Sequence, residues 1–258
     1  MFSEERKMQI VNLLKEKGNI KVADLAKIYD VSEVTIRKDL QELEEEGLAK
    51  RVHGGAVLNS SIKFEPTFSE KSDKYIQEKE SIGKASAKLI KDGDIIALDA
   101  GTTTLQIAKN ITAKNITVVT NSLDIAYELS NKKDIEVIVT GGSLRWETRA
   151  FVGPLTDMAL KNIRVDKAFI GTNGISLKLG LTTPNITEAN TKRTLISISQ
   201  QVISVCDHSK FNSVCFAKIV DTDEIDIVVT DSGIDESIKK QFEEAGVEFI
   251  ISELEVNK

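Results

Sequence analysis

Ser32-Glu33-Val34-Thr35-Ile36-Arg37-Lys38-Asp39-Leu40 is the stretch on which the reading of the chain turns. A serine ahead of a helical pattern accepts a hydrogen bond from an orphan N–H of the first turn, and Ile36, Leu40 and Leu43 follow at i, i+4 and i+7 as an apolar stripe. That stripe packs inward. Glu33, Val34, Arg37, Lys38 and Gln41 fall on the opposite side, with Ser32 at its start and Thr35 at its edge. In a helix-turn-helix this is the face that enters the major groove. Upstream, residues 5–17 place Ile10, Leu13 and Leu14 on one helical face, and Val22, Leu25, Ala26 and Tyr29 make a second stripe that stops at Asp30. Downstream, Gly47 stands where a left-handed cap ends a helix, and residues 48–56 alternate before turning on Gly54 and Gly55. This pattern predicts a two-stranded wing that carries Lys50, Arg51 and His53 toward phosphates.

The block resembles the winged helix-turn-helix of the DeoR family of bacterial transcriptional regulators. The residues that carry the likeness are Arg6 and Ile10, the run Ser32, Thr35, Ile36, Arg37, Lys38, Asp39 and Leu40, and Arg51-Val52-His53-Gly54-Gly55-Ala56. Several separated motifs agree in order and spacing, which a lone helix-turn-helix pattern does not. The resemblance implies double-stranded operator DNA as a partner.

Charge qualifies that expectation. The formal net charge is -6, and residues 1–57 hold ten Lys or Arg against eleven Asp or Glu. Non-specific DNA affinity is therefore expected to be modest and strongly salt-dependent. Glu42, Glu44, Glu45 and Glu46 crowd the far end of the third helix, while Arg37, Lys38, Lys50 and Arg51 can converge on one surface. Focal charge decides binding more than the sum does. Specific binding then calls for a homodimer or homotetramer presenting two or more such surfaces.

With 258 residues, 41% hydrophobic and 29% charged, the chain has room for one small and one larger domain. Apolar runs such as Ile95-Ile96-Ala97-Leu98 fall far short of the roughly 18 residues of a membrane helix. Met1 to Arg6 shows no basic stretch followed by an apolar core, so no secretory signal and no membrane association are expected, and the cytoplasm is the expected compartment. Two cysteines, Cys206 and Cys215, make no disulfide framework. Cys206-Asp207-His208 could form a metal corner, but neighbours on a strand point to opposite faces and the chain has only His53 and His208. No metal and no cofactor is expected.

Residues 58–75 lose periodicity and form the candidate linker, in which Phe64 and Phe68 favour docking over floating. The domains expected are 1–57 for DNA binding and 76–258 for the remainder. In the latter, strands at 94–99, 116–120, 135–140, 167–171, 202–207, 227–231 and 247–252 alternate with helices at 82–90, 104–109, 123–131, 187–199 and 234–245. The fold class predicted is α/β, a small winged domain followed by a mostly parallel sheet with crossover helices.

Small, hydroxyl and amide residues cluster after the strands: Asp99-Ala100-Gly101-Thr102-Thr103-Thr104, Thr120-Asn121-Ser122, Gly141-Gly142-Ser143 and Gly171-Thr172-Asn173-Gly174. Ligands of open α/β sheets bind at those carboxyl ends. Free N–H groups at a helix start, joined by threonine hydroxyls, suit a phosphate. Each cluster alone is equally an ordinary capped turn; four at one edge point to a pocket. Glu188 and Lys192, spaced i, i+4, form either a surface ion pair or a site in which Lys192 meets a phosphate and Glu188 a sugar hydroxyl. Asp207 with Lys210 offers the same choice, and Arg145 and Arg149 either meet an anion or cover the surface.

This half resembles the DeoR-family sensor domain, similar in fold to ribose-5-phosphate isomerase. The matching segments start at Asp99, Thr120, Gly141, Phe151, Gly171, Gly180 and Asp207. The resemblance implies an effector pocket for a phosphorylated sugar or polyol phosphate, built from Asp99, Gly101, Thr102, Thr103, Thr104, Thr120, Asn121, Ser122, Gly141, Gly142, Gly171, Asn173, Gly174, Glu188, Lys192 and Lys210. The function expected is a repressor of a sugar or polyol catabolic operon. The alternative is a sugar-phosphate isomerase using Asp99, Glu188 or Lys192 for proton transfer, which would have no need of a winged helix.

Overall fold

The structure, a computed structural model, describes residues 3–45, 49–52, 54–58 and 65–254. Gly47, His53 and Phe64 lie outside the described residues, as does the side chain of Lys50. The chain divides into two compact units, Met1–Phe64 and Glu65–Lys258.

In the first unit, α1 (Ser3–Lys17), α2 (Val22–Tyr29) and α3 (Glu33–Glu45) surround a small core, and β1 (Asn19–Lys21), β2 (Ala49–Val52) and β3 (Gly55–Leu58) form an antiparallel sheet in the order β1-β3-β2. Ser32 does cap α3: its Oγ accepts from the Thr35 amide at 3.1 Å. Ile36, Leu40 and Leu43 then sink into a core with Ile10, Leu14 and Leu25. Leu13, read as a core residue, is only partly buried. Arg6 and Asp39 lock α1 to α3 through a buried two-pronged ion pair at 2.6 and 3.0 Å. The wing turns at Gly54, whose φ is +83°, and a Cβ on Gly55 would lie 2.2 Å from the Ile20 carbonyl oxygen. Only glycine lets β3 lie against β1, a third strand that the sequence pattern did not reveal.

The second unit is built on seven parallel strands in the order β15-β14-β12-β9-β4-β5-β6. They are β4 (Ile95–Leu98), β5 (Ile116–Thr120), β6 (Ile135–Val139), β9 (Val165–Gly171), β12 (Ser199–Val205), β14 (Ile227–Asp231) and β15 (Glu248–Ser252). Successive residues alternate faces, so Ile96, Leu98 and Phe169 join one core while Ala97, Ala168 and Ile170 join the other. The first core is covered by α5 (Ile76–Ala87), α6 (Thr102–Asn110) and α7 (Leu123–Leu129). The second is covered by α8 (Pro154–Lys161), α9 (Ile186–Ser197) and α10 (Glu236–Glu244), and by a small antiparallel sheet of β10 (Gly174–Ser176), β11 (Gly180–Thr183) and β13 (Ala217–Val220). Full burial of each large aliphatic or Phe side chain contributes roughly 1.5–3 kcal/mol.

All seven strands and five crossover helices expected from periodicity are present. Helix α5 begins six residues before the predicted 82, because its first turns are polar and carry no stripe. The hairpin of β7 (Ser143–Arg145) and β8 (Ala150–Val152), helix α8 and the three-stranded sheet were not anticipated. Within the segment read as linker, α4 (Phe68–Ser72) begins with a reciprocal cap between Thr67 and Glu70, and buries Phe68.

Sheet order fixes where a ligand goes. From β4 the chain steps outward to β5 and β6, then returns to the other side of β4 as β9 and steps outward again through β12, β14 and β15. The crevice beyond the carboxyl ends of β4 and β9 is therefore the topological switch point, where open α/β sheets bind ligands.

Candidate functional site

On the first unit, Glu33, Val34, Arg37, Lys38 and Gln41 are exposed along one face of α3, as the pattern predicted. Val34 is 73% exposed, an apolar group with no core to enter. Ser32 and Thr35 share a hydrogen bond at 2.9 Å and close the cap, so their oxygens hold the helix start. Arg37 is paired with Glu33 at 2.6 Å, and Lys38 stands 4.0 Å from Glu42. On β2, Arg51 binds Glu44 through its Nε at 2.7 Å and its backbone amide at 2.9 Å, which pins the wing to the end of α3. These charged side chains are 36–78% exposed and change partners easily.

On the second unit, the switch point holds a buried ionic chain. Asp99, the residue after β4, is 0% exposed and receives the Lys192 ammonium of α9 on Oδ2, along with the Gly171 amide at 3.1 Å. The same ammonium donates to the Gly171 carbonyl at 3.0 Å and lies 3.7 Å from Glu188. Glu188 receives Arg145 at 2.7 Å, and Arg145 also binds Glu65 at 2.7 Å. α9 starts cleanly because Asn185 caps the Thr187 and Glu188 amides. Its i, i+4 spacing then stacks Glu188 and Lys192 toward Asp99.

Burial opposes every charge in this chain. It raises the Asp99 carboxyl, against the pull of Lys192. It works against the Glu188 carboxylate too, yet Lys192, Lys71 and Arg145 together hold that group below the usual range. Lys192 keeps its proton because Asp99 and Glu188 outweigh its desolvation. Two acceptors are left over: Asp99 Oδ1 and Glu65 Oε1 are buried with no hydrogen-bond partner among the described residues.

The other predicted rim residues divide into two groups. Thr120 donates to the Leu98 carbonyl at 2.7 Å, Asn121 accepts from the Ala100 amide at 3.0 Å, and Ser122 caps α7. All three are 0–1% exposed and hold the loops to one another. Thr104 closes on the Gly101 carbonyl, and Asn173 accepts from Thr183. The Cβ position of Gly142 is filled by Thr156 Oγ1 at 2.1 Å and that of Gly174 by the Ser213 carbonyl at 2.4 Å, so these glycines serve packing within the protein; the Cβ position of Gly141 meets nothing within 4 Å. The first turn of α6 receives no side-chain cap from Gly101, and its Thr102 and Thr103 are each 8% exposed. Lys210 binds Asp207 at 3.2 Å and lies over the Tyr75 ring at 5.7 Å.

Two members of the cluster escaped the sequence reading, and a third, Arg145, was left between two alternatives. Arg145 is a partly buried hub among Glu65, Glu147 and Glu188 and does not merely cover the surface. Glu65 and Lys71 come from the stretch read as linker, and no motif flags them. Arg149, by contrast, is about half exposed, pairs with Asp124 at 2.9 Å and lies over Phe68 at 5.1 Å.

Two family models match the chain: the DeoR-like helix-turn-helix domain over residues 6–62 and the DeoR C terminal sensor domain over residues 74–232. A putative aga operon transcriptional repressor of Escherichia coli O157:H7 is 36% identical over 96% of this chain and 94% of its own length. The HTH-type transcriptional regulator GolR of Listeria innocua serovar 6a is 37% identical over 98% of this chain and all of its own. Among solved structures, a ribose 5-phosphate isomerase A from Methanocaldococcus jannaschii aligns with a TM-score of 0.37 at 17% identity, over 52% of this chain and 53% of that one. The chain belongs to the DeoR family of DNA-binding transcriptional repressors, and it is a regulator rather than an enzyme.

Proposed function

We propose that a phosphorylated sugar or polyol binds at the carboxyl ends of β4 and β9 and changes the affinity of paired winged helices for an operator in the cytoplasm. The observation that carries this reading is Asp99 Oδ1, a fully buried acceptor without a donor, placed at the switch point beside an uncapped helix start. A buried, unsatisfied carboxylate oxygen costs about 1–3 kcal/mol, which a sugar hydroxyl donated to it would recover. Lys192 already serves two carboxylates and a carbonyl, so the phosphate falls to the first-turn amides of α6 and to Thr102 and Thr103.

The ligand must bind the DNA-competent and DNA-incompetent arrangements unequally. A coupling of about 1–3 kcal/mol alters occupancy roughly 5- to 150-fold. Regulation of a sugar or polyol catabolic operon follows from that ligand class, and the relative named for an aga operon is in keeping with it. A homodimer or homotetramer presents the recognition helices in pairs; the exposed Ile138 and Val139 on edge strand β6, with Leu144 and Trp146 nearby in sequence, offer apolar surface to a second copy.

Thermal-shift titration of the full chain against a panel of hexose, pentose and polyol phosphates tests the reading, since a ligand at a hundredfold its Kd adds about 2.7 kcal/mol of apparent stability. A hit should then alter a gel shift on the operator. A panel in which no phosphorylated compound raises the melting temperature sinks the effector site.

A further inference from the structure

Lys71 stands apart from the other cations of the rim. Lys192 is engaged by Asp99 and the Gly171 carbonyl, Arg145 by Glu65 and Glu188, and Lys210 by Asp207 and Ser209. The half-buried Lys71 ammonium makes no hydrogen bond or ion pair among the described residues. Its charge is felt by Glu188 and Glu65, although burial is the larger influence and lowers its hold on its proton. The backbone that carries Lys71 is tied down along α4. The Phe68 amide donates to the Glu147 carbonyl at 2.6 Å, α4 packs on α6, and Lys79 Nζ donates to the carbonyls of Lys71 and Lys74. Two acceptors of the cluster are likewise orphaned: Glu65 Oε1 and the fully buried Asp99 Oδ1.

We propose that Lys71 joins the first turn of α6 in binding the phosphate of the effector and that Glu65 is the internal anion which this phosphate displaces. The inference rests on the reading of the rim as an effector site and names its anion subsite. In the ligand-free protein the cations Lys71, Arg145 and Lys192 are already balanced in formal charge by Asp99, Glu65 and Glu188, with Glu147, 3.6 Å from Arg145, as a further anion. A phosphate dianion arriving at Lys71 breaks the balance, and one carboxylate must retreat. Asp99 and Glu188 are fixed just after β4 and on α9 and buried to within a few per cent. Glu65 lies outside any helix or strand, two residues ahead of the Thr67 cap, and uses only one of its oxygens. It is the group able to yield.

Inorganic phosphate is the probe, titrated calorimetrically into the full-length protein at fixed ionic strength with chloride as control. Glu65→Gln, which removes the competing charge at constant size, should bind phosphate about tenfold tighter or better than wild type, and Lys71→Gln about tenfold weaker. Lys71→Arg should retain binding, which separates lost charge from lost folding. In wild type, phosphate should speed hydrogen exchange at the Phe68 amide. Unchanged affinity in Glu65→Gln, or undiminished affinity in Lys71→Gln, overturns the inference. If phosphorylated sugars still raise the melting temperature of wild type in that case, the effector reading survives. If Lys71-dependent phosphate binding is found but no sugar phosphate acts, the subsite stands and the effector reading falls.

Discussion

The two units use charge in opposite ways. On α3, Arg37 and Glu33 are 57% and 47% exposed, and their pair is one of several arrangements that water supports at nearly equal free energy. At the switch point, Lys192 and Asp99 are 2% and 0% exposed, and neither has solvent to fall back on. An exposed pair is worth roughly 0–1 kcal/mol and exchanges readily for a phosphate oxygen or a base edge. A buried pair is worth little net against an apolar replacement, yet removing one partner costs about 3–5 kcal/mol. The reading surface is thus built to let go of its internal partners. The proposed sensing site holds a fixed geometry and leaves two acceptors, Asp99 Oδ1 and Glu65 Oε1, open.

Breaking the buried side of that contrast has the largest effect. Lys192→Ala should lower the unfolding free energy by about 3–5 kcal/mol, measured by denaturant titration, because Asp99 and Glu188 then lose the cation between them. Replacing the pair together, as Asp99→Asn with Lys192→Met, should recover a large part of the loss. A Lys192→Ala protein as stable as wild type would mean that solvent reaches the rim freely, and the contrast would fail.

Among the described residues of the first unit, one ion pair has both partners buried, which sharpens the comparison. Arg6 and Asp39 are 8% and 3% exposed and lie away from the recognition face. Arg6→Ala should cost on the order of 3 kcal/mol by stranding Asp39, a large fraction of the stability of so small a unit. Operator binding should fall because the unit melts, as circular dichroism would show; full affinity at a lowered melting temperature would separate the fold from the function of this residue.

Lys79 adds a pH dependence of definite sign. It is 5% exposed and desolvation lowers it from 10.5 to about 8, with Asp207 and Glu78 acting against that and Lys210 and Lys71 with it. The folded state therefore binds this proton less tightly than the unfolded chain. Below about pH 8 both states carry it and the burial penalty is felt in full; between 8 and 10.5 the unfolded state still holds the proton, so stability rises with pH. The advantage of wild type over Lys79→Met should grow by on the order of 2 kcal/mol from pH 7 to pH 9.5. A difference that is flat with pH would place the Lys79 ammonium in water.

The same contrast explains what the sequence made legible. Periodicity reports burial, so the stripe of α3 and the seven near-continuous apolar strands could be read directly, and the strand order then placed Asp99 at the switch point. The 3-residue strands β7, β8 and β10 are too short for an alternating pattern, and Gly174 looked like a ligand-binding turn because close packing on Ser213 and close approach to a ligand demand the same residue. The Thr120-Asn121-Ser122 cluster proved to be internal bracing for the same reason: hydroxyl and amide groups serve loops and ligands alike. Arg145 and Glu65 are 80 positions apart, and only the folded sheet brings them together. Glu188 and Lys192 were visible because one helix turn separates them.

The smallest effects belong to the exposed face, and there the contrast is tested most finely. Arg37→Ala should weaken operator binding by about 1–3 kcal/mol and relax the preference at one base position if the guanidinium reaches a base edge. Glu33→Gln should do the reverse on a smaller scale. It removes the partner that holds Arg37 at 2.6 Å in the free protein, so affinity should rise by a few tenths of a kcal/mol while α3 loses a similar amount of helix stability. Both changes should shrink as salt is added, since screening acts on solvated charges first. If Glu33→Gln instead weakens binding and the loss is unaffected by salt, then Glu33 contacts the DNA itself, as an acceptor from a cytosine amine, and the pair with Arg37 is part of the reading surface rather than a resting arrangement.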